Sequence, residues 1–290
     1  MSCLFVEQLT VIDCAYLDAV RGLVGESWIV DVELDGALDG QSMVLDFGEV
    51  KKRLKRAIDA SLDHSLLVPR RAPGLQLNAD GERLRLRFEA APGLYEHVSP
   101  TAAVSLVDAA AITPDAVAAH LRPILAAHLP ANVARLGLHL RSEHIDGAYY
   151  HYVHGLKKHA GLCQRIAHGH RSRIEVRVDG ARDGALERDV AERWRDIYLG
   201  TREDIVARGD GRIRFAYTAR EGRYELALPE ARCDLLDTDS TVEQIAAHLA
   251  ARLAPSRPGR ALAVRAYEGV MKGAIARTGG HPEPQSGPRD

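Results

Sequence analysis

Residues 150–176 read YHYVHGLKKHAGLCQRIAHGHRSRIEV, and the rest of the chain is organised around this stretch. His168 and His170 are separated by one glycine, so on a strand both imidazoles lie on the same face. His154 precedes them on a second extended segment, and antiparallel pairing would bring it alongside. Three imidazoles leave the fourth position of a tetrahedral zinc ion open, as in catalytic zinc sites. The spacing predicts a zinc site with Cys163 near the same cavity; the alternative is a histidine-rich loop around one buried thiol.

Composition excludes several classes of protein. The chain has 290 residues, enough for two ordinary domains, and 46% of them are hydrophobic. A formal net charge of -2 argues against a general nucleic-acid binder, and no apolar run reaches the length of a membrane span. The N-terminus does not resemble a signal peptide, and the four cysteines form no CxxC pair. We therefore expect a cytoplasmic protein with free thiols.

Phrases of the first half recur in the same order in the second half. GESWIVDVELDGALDG at 25–40 matches GHRSRIEVRVDGARDG at 169–184, and GLYE at 93–96 matches GRYE at 222–225. An alanine-rich helical segment and a late glutamate, Glu143 or Glu268, follow in each half. The order predicts a tandem duplication, with domains at 1–147 and 148–278 and a disordered polar tail at 279–290.

Coarse patterning predicts antiparallel hairpins with interspersed helices, an α+β class rather than a doubly wound sheet. Apolar residues recur every four positions from Val50 to Leu62 and predict an amphipathic helix. We expect this helix in the first half only, preceded by a strand at 43–47 and capped by Asp46. Thr113 and Thr241 are expected to cap the alanine-rich helices.

Taken together, these motifs resemble the 6-pyruvoyl-tetrahydropterin synthase and 6-carboxytetrahydropterin synthase family. The shared phrases are the early histidine, the cysteine and His-Gly-His in the second half, Asp-Phe-Gly at 46–48 and Leu-Asp-His at 62–64 in the first, a Thr-x-Glu helix start at 241–243, and the late glutamate. A usual member carries all motifs in one short domain, whereas here they are split. The Asn that often follows Leu-Asp-His is replaced, and the Thr that often follows the late glutamate is His144 or Gly269.

The resemblance implies tunnelling-fold (T-fold) units, each an antiparallel four-stranded sheet with helices on one face. It also implies active sites shared between units, so each half would supply what the other lost. Family units associate as two stacked trimers, so three duplicated chains would form a homo-oligomer equivalent to six units. We expect one zinc site per chain, shared within one chain or between chains.

The resemblance also implies roles for the site residues. His154, His168 and His170 would hold Zn²⁺, Cys163 would be the general base, and the pair Asp63 and His64 would relay protons. Glu268, or alternatively Glu143, would accept hydrogen bonds from the amino group and adjacent N–H of a pterin ring. The basic run at 51–56 is expected to be a solvated face, with contact to a triphosphate as the alternative.

The function implied is a zinc-dependent lyase acting on 7,8-dihydroneopterin triphosphate, a small-molecule substrate. The preferred product is 6-carboxytetrahydropterin, a precursor of 7-deazaguanine and queuosine. The alternatives are 6-pyruvoyl-tetrahydropterin synthase activity on the same substrate and a non-catalytic pterin-binding paralogue. No nucleic-acid or membrane partner is expected.

Overall fold

A computed structural model describes residues 2–279. The elements of the first half are β1 (Ser2–Asp18), β2 (Gly22–Gly36), α1 (Phe47–Ser61), β3 (Leu66–Pro69), β4 (Leu75–Asp80), β5 (Arg83–Ala90), β6 (Gly93–Pro100), β7 (Val104–Val107), α2 (Pro114–Ala126) and β8 (Val133–Ser142). Those of the second half are β9 (Tyr149–His154), β10 (His168–Val178), β11 (Ala181–Arg182), α3 (Gly184–Arg193), β12 (Arg195–Thr201), β13 (Ile205–Gly209), β14 (Arg212–Ala219), β15 (Gly222–Pro229), β16 (Cys233–Leu236), α4 (Val242–Leu253), β17 (Leu262–Tyr267) and β18 (Gly273–Thr278). Apart from the extra β11 and β18, the two halves have the same order of elements, and the predicted α+β class is confirmed. Except for Gly279, the expected tail lies outside the described residues.

The sheets differ in detail from the expected four antiparallel strands. The first half has five strands in the order β7-β3-β1-β2-β8, and the second half has β16-β12-β9-β10-β17-β18 with β11 beside β10. The central pairs β1/β2 and β9/β10 are antiparallel, whereas β3 runs parallel to β1, and β12 runs parallel to β9. The parallel pairs arise because α1 and α3 carry the chain back over the sheet before the next strand.

The expectation that only the first half has a helix after its opening hairpin is wrong. α3 occupies the equivalent place, and Asp183 begins it by accepting a hydrogen bond from the Leu186 N–H at 3.1 Å. Residues 193–206, which follow the second-half hairpin and were expected to lack a helix, contain β12 and the start of β13. α3 was missed because Leu186 and Val190 are its main buried apolar positions, too few for a clear helical period.

Two other local expectations have mixed outcomes. Residues 43–46 form no strand, and α1 begins at Phe47. Asp46 caps this helix as predicted, with its Oδ1 accepting from the Gly48 N–H at 2.7 Å. Thr113 and Thr241 cap α2 and α4 as predicted, each accepting from the backbone N–H three residues ahead. The basic residues at 51–56 are exposed on α1.

The two halves are joined in two places. A third sheet, β13-β14-β15-β6-β5-β4, crosses between them, and its central β6/β15 pair is antiparallel. The opening hairpins also touch backbone to backbone, because a Cβ atom on Gly169 would lie 2.7 Å from the Cα of Gly25. A core that draws on both halves, including Leu17, Val153 and Tyr198, fills the space beside this contact. The junction places the end of α1 next to β10, where the predicted site residues lie.

Candidate metal and acid–base site

The three predicted zinc ligands converge on one point. His154 lies directly opposite His168 in the β9/β10 ladder, and His170 follows two residues along the same face. One ring nitrogen of each histidine lies within 4.8 Å of the others, and all three residues are fully or almost fully buried. The alternation of strand side chains, which the sequence spacing predicted, produces this cluster.

The ring nitrogens are arranged as in a metal site. The Nδ1 atoms of His154 and His168 face the carbonyl oxygens of Ser240 and Arg165 at 2.9 and 3.0 Å, and the Nε2 atoms of all three histidines are buried with no hydrogen-bond partner in residues 2–279. Buried polar atoms without partners are rare, so three that converge require an explanation. Burial also lowers the pKa of His154 and His168 well below the usual value, which favours the neutral imidazole that binds metal. The donor set fits a metal ion.

Cys163 joins the cluster from the loop between β9 and β10. It lies in a single helical turn at Leu162–Gln164 and is partly buried. Its Sγ, a ring nitrogen of His64 and one of His168 all lie within 4.8 Å of one another. The imidazoles of His64 and His168 are 5.1 Å apart between ring centroids. The thiol therefore lies between the histidine cluster and a residue of the first half.

Asp63 and His64 reach the cluster from the end of α1. The Asp63 Oδ2 is 2.7 Å from Nδ1 of His64, and its Oδ1 accepts from the Asp13 N–H at 2.9 Å. His64 has a left-handed backbone, φ 54°, and its N–H donates to the Asp13 carbonyl at 2.7 Å. Burial opposes protonation of His64, but hydrogen bonds to Asp63 and Cys163 raise its pKa to about 10. These contacts favour the charged form of the imidazole.

The two late glutamates lie in different surroundings. Glu268 follows β17, and its Oε2 is 4.0 Å from Nζ of Lys272, which is also 3.4 Å from the Asp13 carboxylate beside the cluster. Glu143 follows β8; its Oε1 is 4.0 Å from Arg173, and its Oε2 is buried without a partner in the described chain. The structure links Glu268, but not Glu143, to the histidine cluster through Lys272 and Asp13.

Sequence reasoning missed Asp13, Ser27 and Lys272. Asp13 is 4% exposed on β1, and one carboxylate oxygen is 3.1 Å from Nδ1 of His170, a close contact that is not aligned as a hydrogen bond. The Ser27 hydroxyl donates to the same oxygen at 2.5 Å. A signal was available, because an acid inside the apolar alternation of β1 requires a buried partner.

The equivalent position in the other hairpin has no such cluster. In the strand register, Tyr16 and Val24 stand where His154 and His168 do, and Glu26 stands in place of His170. Asp196, with φ 57°, takes the place of His64 and lies at the register shift near the start of β12. The Arg21 guanidinium bonds Asp196 at 2.5 and 3.1 Å and donates to the Tyr16 hydroxyl at 3.0 Å. A fixed side-chain cation thus occupies this second position.

One sizeable cavity lies apart from the histidine cluster. It has a volume of about 590 Å³ and is lined by residues including Arg21, Tyr149, His151, Arg188 and Arg195. We place the candidate site at the histidine cluster because the convergent donors are there.

No helix in residues 2–279 combines the length and the apolar character needed to cross a membrane.

Fold and site define a tandem α+β chain with a histidine- and cysteine-rich centre at the junction of its halves. Residues 18–139 match the family model described as 6-pyruvoyl tetrahydropterin synthase. The family predicted from the sequence is thereby confirmed, and the chain carries a domain of the 6-pyruvoyl tetrahydropterin synthase family.

Solved structures similar to the chain have the same description. A catalytic-residue mutant of 6-pyruvoyltetrahydropterin synthase from Plasmodium vivax is 17% identical, with 48% of this chain and 97% of that chain covered and a TM-score of 0.39. The synthase from Plasmodium falciparum is 14% identical over the same shares, with a TM-score of 0.38. A search of curated proteins found no match.

Proposed function

We propose that the chain is a zinc-dependent pterin synthase that acts on 7,8-dihydroneopterin triphosphate. The observation that carries this proposal is the convergence of three buried, unpartnered Nε2 atoms with Cys163 and the Asp63–His64 pair. The family match over residues 18–139 supports the choice of substrate. Under this proposal the active centre lies within one chain, and the two units divide at 147/148.

His154, His168 and His170 would hold the zinc ion, which when bound acts as a Lewis acid toward the side-chain oxygens of the substrate. The backbone carbonyls at Nδ1 of His154 and His168 would fix these two rings with Nε2 facing the ion. Because His154 and His168 are neutral, both can present a lone pair without losing a proton.

Cys163 would remove a proton from the substrate side chain. A thiolate is the active form of cysteine, and the neighbouring His64 cation would stabilise it. Asp63 would keep the His64 ring oriented through its 2.7 Å contact with Nδ1. The imidazolium can then return a proton to the carbon skeleton as triphosphate leaves.

Glu268 would anchor the pterin ring, since a carboxylate matches its two-donor edge. The link from Glu268 through Lys272 to Asp13 supports its choice over Glu143. The preferred product is 6-carboxytetrahydropterin, formed when carbon–carbon cleavage releases a small aldehyde. The 6-pyruvoyl product, with its side chain retained, is the alternative outcome.

The test is incubation of the purified protein with 7,8-dihydroneopterin triphosphate, followed by mass spectrometry of the pterins. A Cys163→Ala variant should lose turnover while keeping its zinc, and a Cys3→Ala variant, which changes an exposed thiol, should retain turnover. Full activity in Cys163→Ala would refute its role as base. Zinc and pterin binding without turnover in the unaltered chain would favour the non-catalytic paralogue.

A further inference from the structure

Asp13 contacts both the histidine cluster and the Asp63–His64 pair. Its carboxylate is 3.1 Å from Nδ1 of His170, its N–H donates to Asp63, and its carbonyl accepts from His64. Asp13 belongs to β1 of the first half, whereas His170 belongs to β10 of the second. One buried residue therefore connects the histidine cluster of one half to the acid–base pair of the other.

His170 differs from the other two histidines in its Nδ1 neighbour. His154 and His168 face backbone carbonyls, whereas His170 faces an acidic side chain. At 3.1 Å the carboxylate lies close to this outer nitrogen without hydrogen-bond alignment, and a small rotation of either group would pair them. A carboxylate paired with the outer nitrogen orients the ring and makes the inner nitrogen a stronger metal ligand. The Ser27 hydroxyl, at 2.5 Å from the same oxygen, holds this carboxylate in place.

Gly269 provides the space that the carboxylate needs. A Cβ atom on Gly269 would lie 2.5 Å from Oδ1 of Asp13 and 2.9 Å from the Ser27 hydroxyl, and the backbone has φ 68°. The Gly269 N–H donates to the Ser172 hydroxyl at 3.0 Å. A threonine at this position, as in the family pattern, would displace the Asp13 carboxylate from its place beside His170.

We propose that Asp13 is the positioning residue that orients His170 for metal binding, and that Gly269 replaces the usual threonine to accommodate it. This inference rests on the proposed metal site. It gives the first half a role in metal binding, besides the acid–base role of its Asp63–His64 pair. It also explains why Gly269 stands where the family pattern has threonine.

The first measurement reads the proton on the His170 ring by long-range ¹H–¹⁵N NMR of zinc-free protein. We expect a proton on Nδ1 of His170 in the unaltered chain and a changed protonation or tautomer pattern in Asp13→Asn. A hydrogen only on Nε2 in the unaltered chain would overturn the inference. This result needs no variant, so a failure of Asp13→Asn to fold does not remove the test.

The second measurement is zinc affinity by competition with a chromophoric chelator. Asp13→Asn should bind zinc about 10- to 100-fold more weakly. Gly269→Thr should weaken binding in the same direction. Asp31→Asn makes the same chemical change on β2, where the carboxylate pairs with Arg141, and should match the unaltered chain. Zinc affinity in Asp13→Asn within twofold of the unaltered chain would also overturn the inference.

The outcomes separate this inference from the proposed function. An unaltered chain that binds zinc but leaves the pterin triphosphate unchanged contradicts the proposed function, while the NMR and affinity comparisons still decide the role of Asp13.

Discussion

A Cβ atom on Gly169 would lie 2.7 Å from the Cα of Gly25, so the matching glycines of the two halves hold their hairpins in backbone contact. The contact sets the distance between β2 and β10 and lies directly beside His168 and His170. Both glycines have extended backbone. Glycine is required at these positions because a side chain would not fit, and not because the backbone is left-handed.

Gly169→Ala should therefore separate the hairpins and disturb the histidine cluster. We expect a loss of about 1–3 kcal/mol in the free energy of unfolding, as for other overpacked sites, measured by urea denaturation. Gly209→Ala is the control, because a Cβ there meets nothing within 4 Å. Equal stability of the two variants would contradict the proposed role of the backbone contact.

Removing a metal ligand should abolish tight zinc binding. His154→Ala is expected to weaken zinc affinity by at least about 100-fold, more than the loss of an outer partner. His159→Ala changes an exposed histidine in the same segment and should leave the affinity unchanged. Atomic absorption after dialysis gives the stoichiometry; zinc retained in His154→Ala would show that the ion binds elsewhere.

Loss of the buried Arg21–Asp196 pair should lower the free energy of unfolding more than loss of an exposed ion pair. Arg21→Met would leave the carboxylate of Asp196, only 4% exposed, without its cation. Breaking a buried pair on one side costs about 3–5 kcal/mol; we expect about 3 because Arg21 is partly exposed. Arg193→Met breaks an exposed pair with Asp189 and should cost less than about 1 kcal/mol. Similar losses in the two variants would contradict the assignment of Arg21 as the cation of the second position.

Glu26 should make stability depend on pH. Burial raises its pKa from 4.5 to about 7, despite a backbone hydrogen bond from Ser27 and attraction to Arg171 and Arg21. Between pH 4.5 and 7 the folded state keeps a proton that the unfolded state has lost, so stability falls as pH rises. Above pH 7 the loss is complete, at about 3 kcal/mol.

Glu26→Gln should remove this fall. The variant should gain stability relative to the unaltered chain between pH 5 and pH 8 in urea denaturation, whereas the more exposed Glu33→Gln should follow the unaltered profile. Parallel profiles for the unaltered chain and Glu26→Gln would show that Glu26 does not titrate in this range.

The sequence carried enough information for the repeat and for the convergence at the site. The two-residue spacing of His168 and His170 sets their common face directly, and the Leu-Asp-His phrase marks the end of α1. Such features depend on spacing within one segment, or on phrases that recur in the same order in both halves. A single sequence is therefore enough to identify them. Glu268 is 4.0 Å from Lys272, which reaches Asp13 beside the cluster, but its role toward a pterin stays a prediction.

Other features depended on tertiary contacts. The parallel β1/β3 pairing follows from a helical crossover whose second copy, α3, has a weak apolar period. Asp13 is separated from His170 by most of the chain, and its role is visible only once Gly25 and Gly169 bring the hairpins together. Gly269 was recognised as a departure from the family pattern, but its cause is the nearby Asp13 carboxylate.

The most direct test of the central claim is the reaction of zinc-loaded protein with 7,8-dihydroneopterin triphosphate, followed by mass spectrometry and compared with His64→Ala. We predict 6-carboxytetrahydropterin and free triphosphate from the unaltered chain, and strongly reduced turnover with zinc retained in His64→Ala, because the first half supplies the acid–base pair to the second. Unchanged substrate with the folded, zinc-loaded chain, or full turnover in His64→Ala, would contradict an active centre built from both halves.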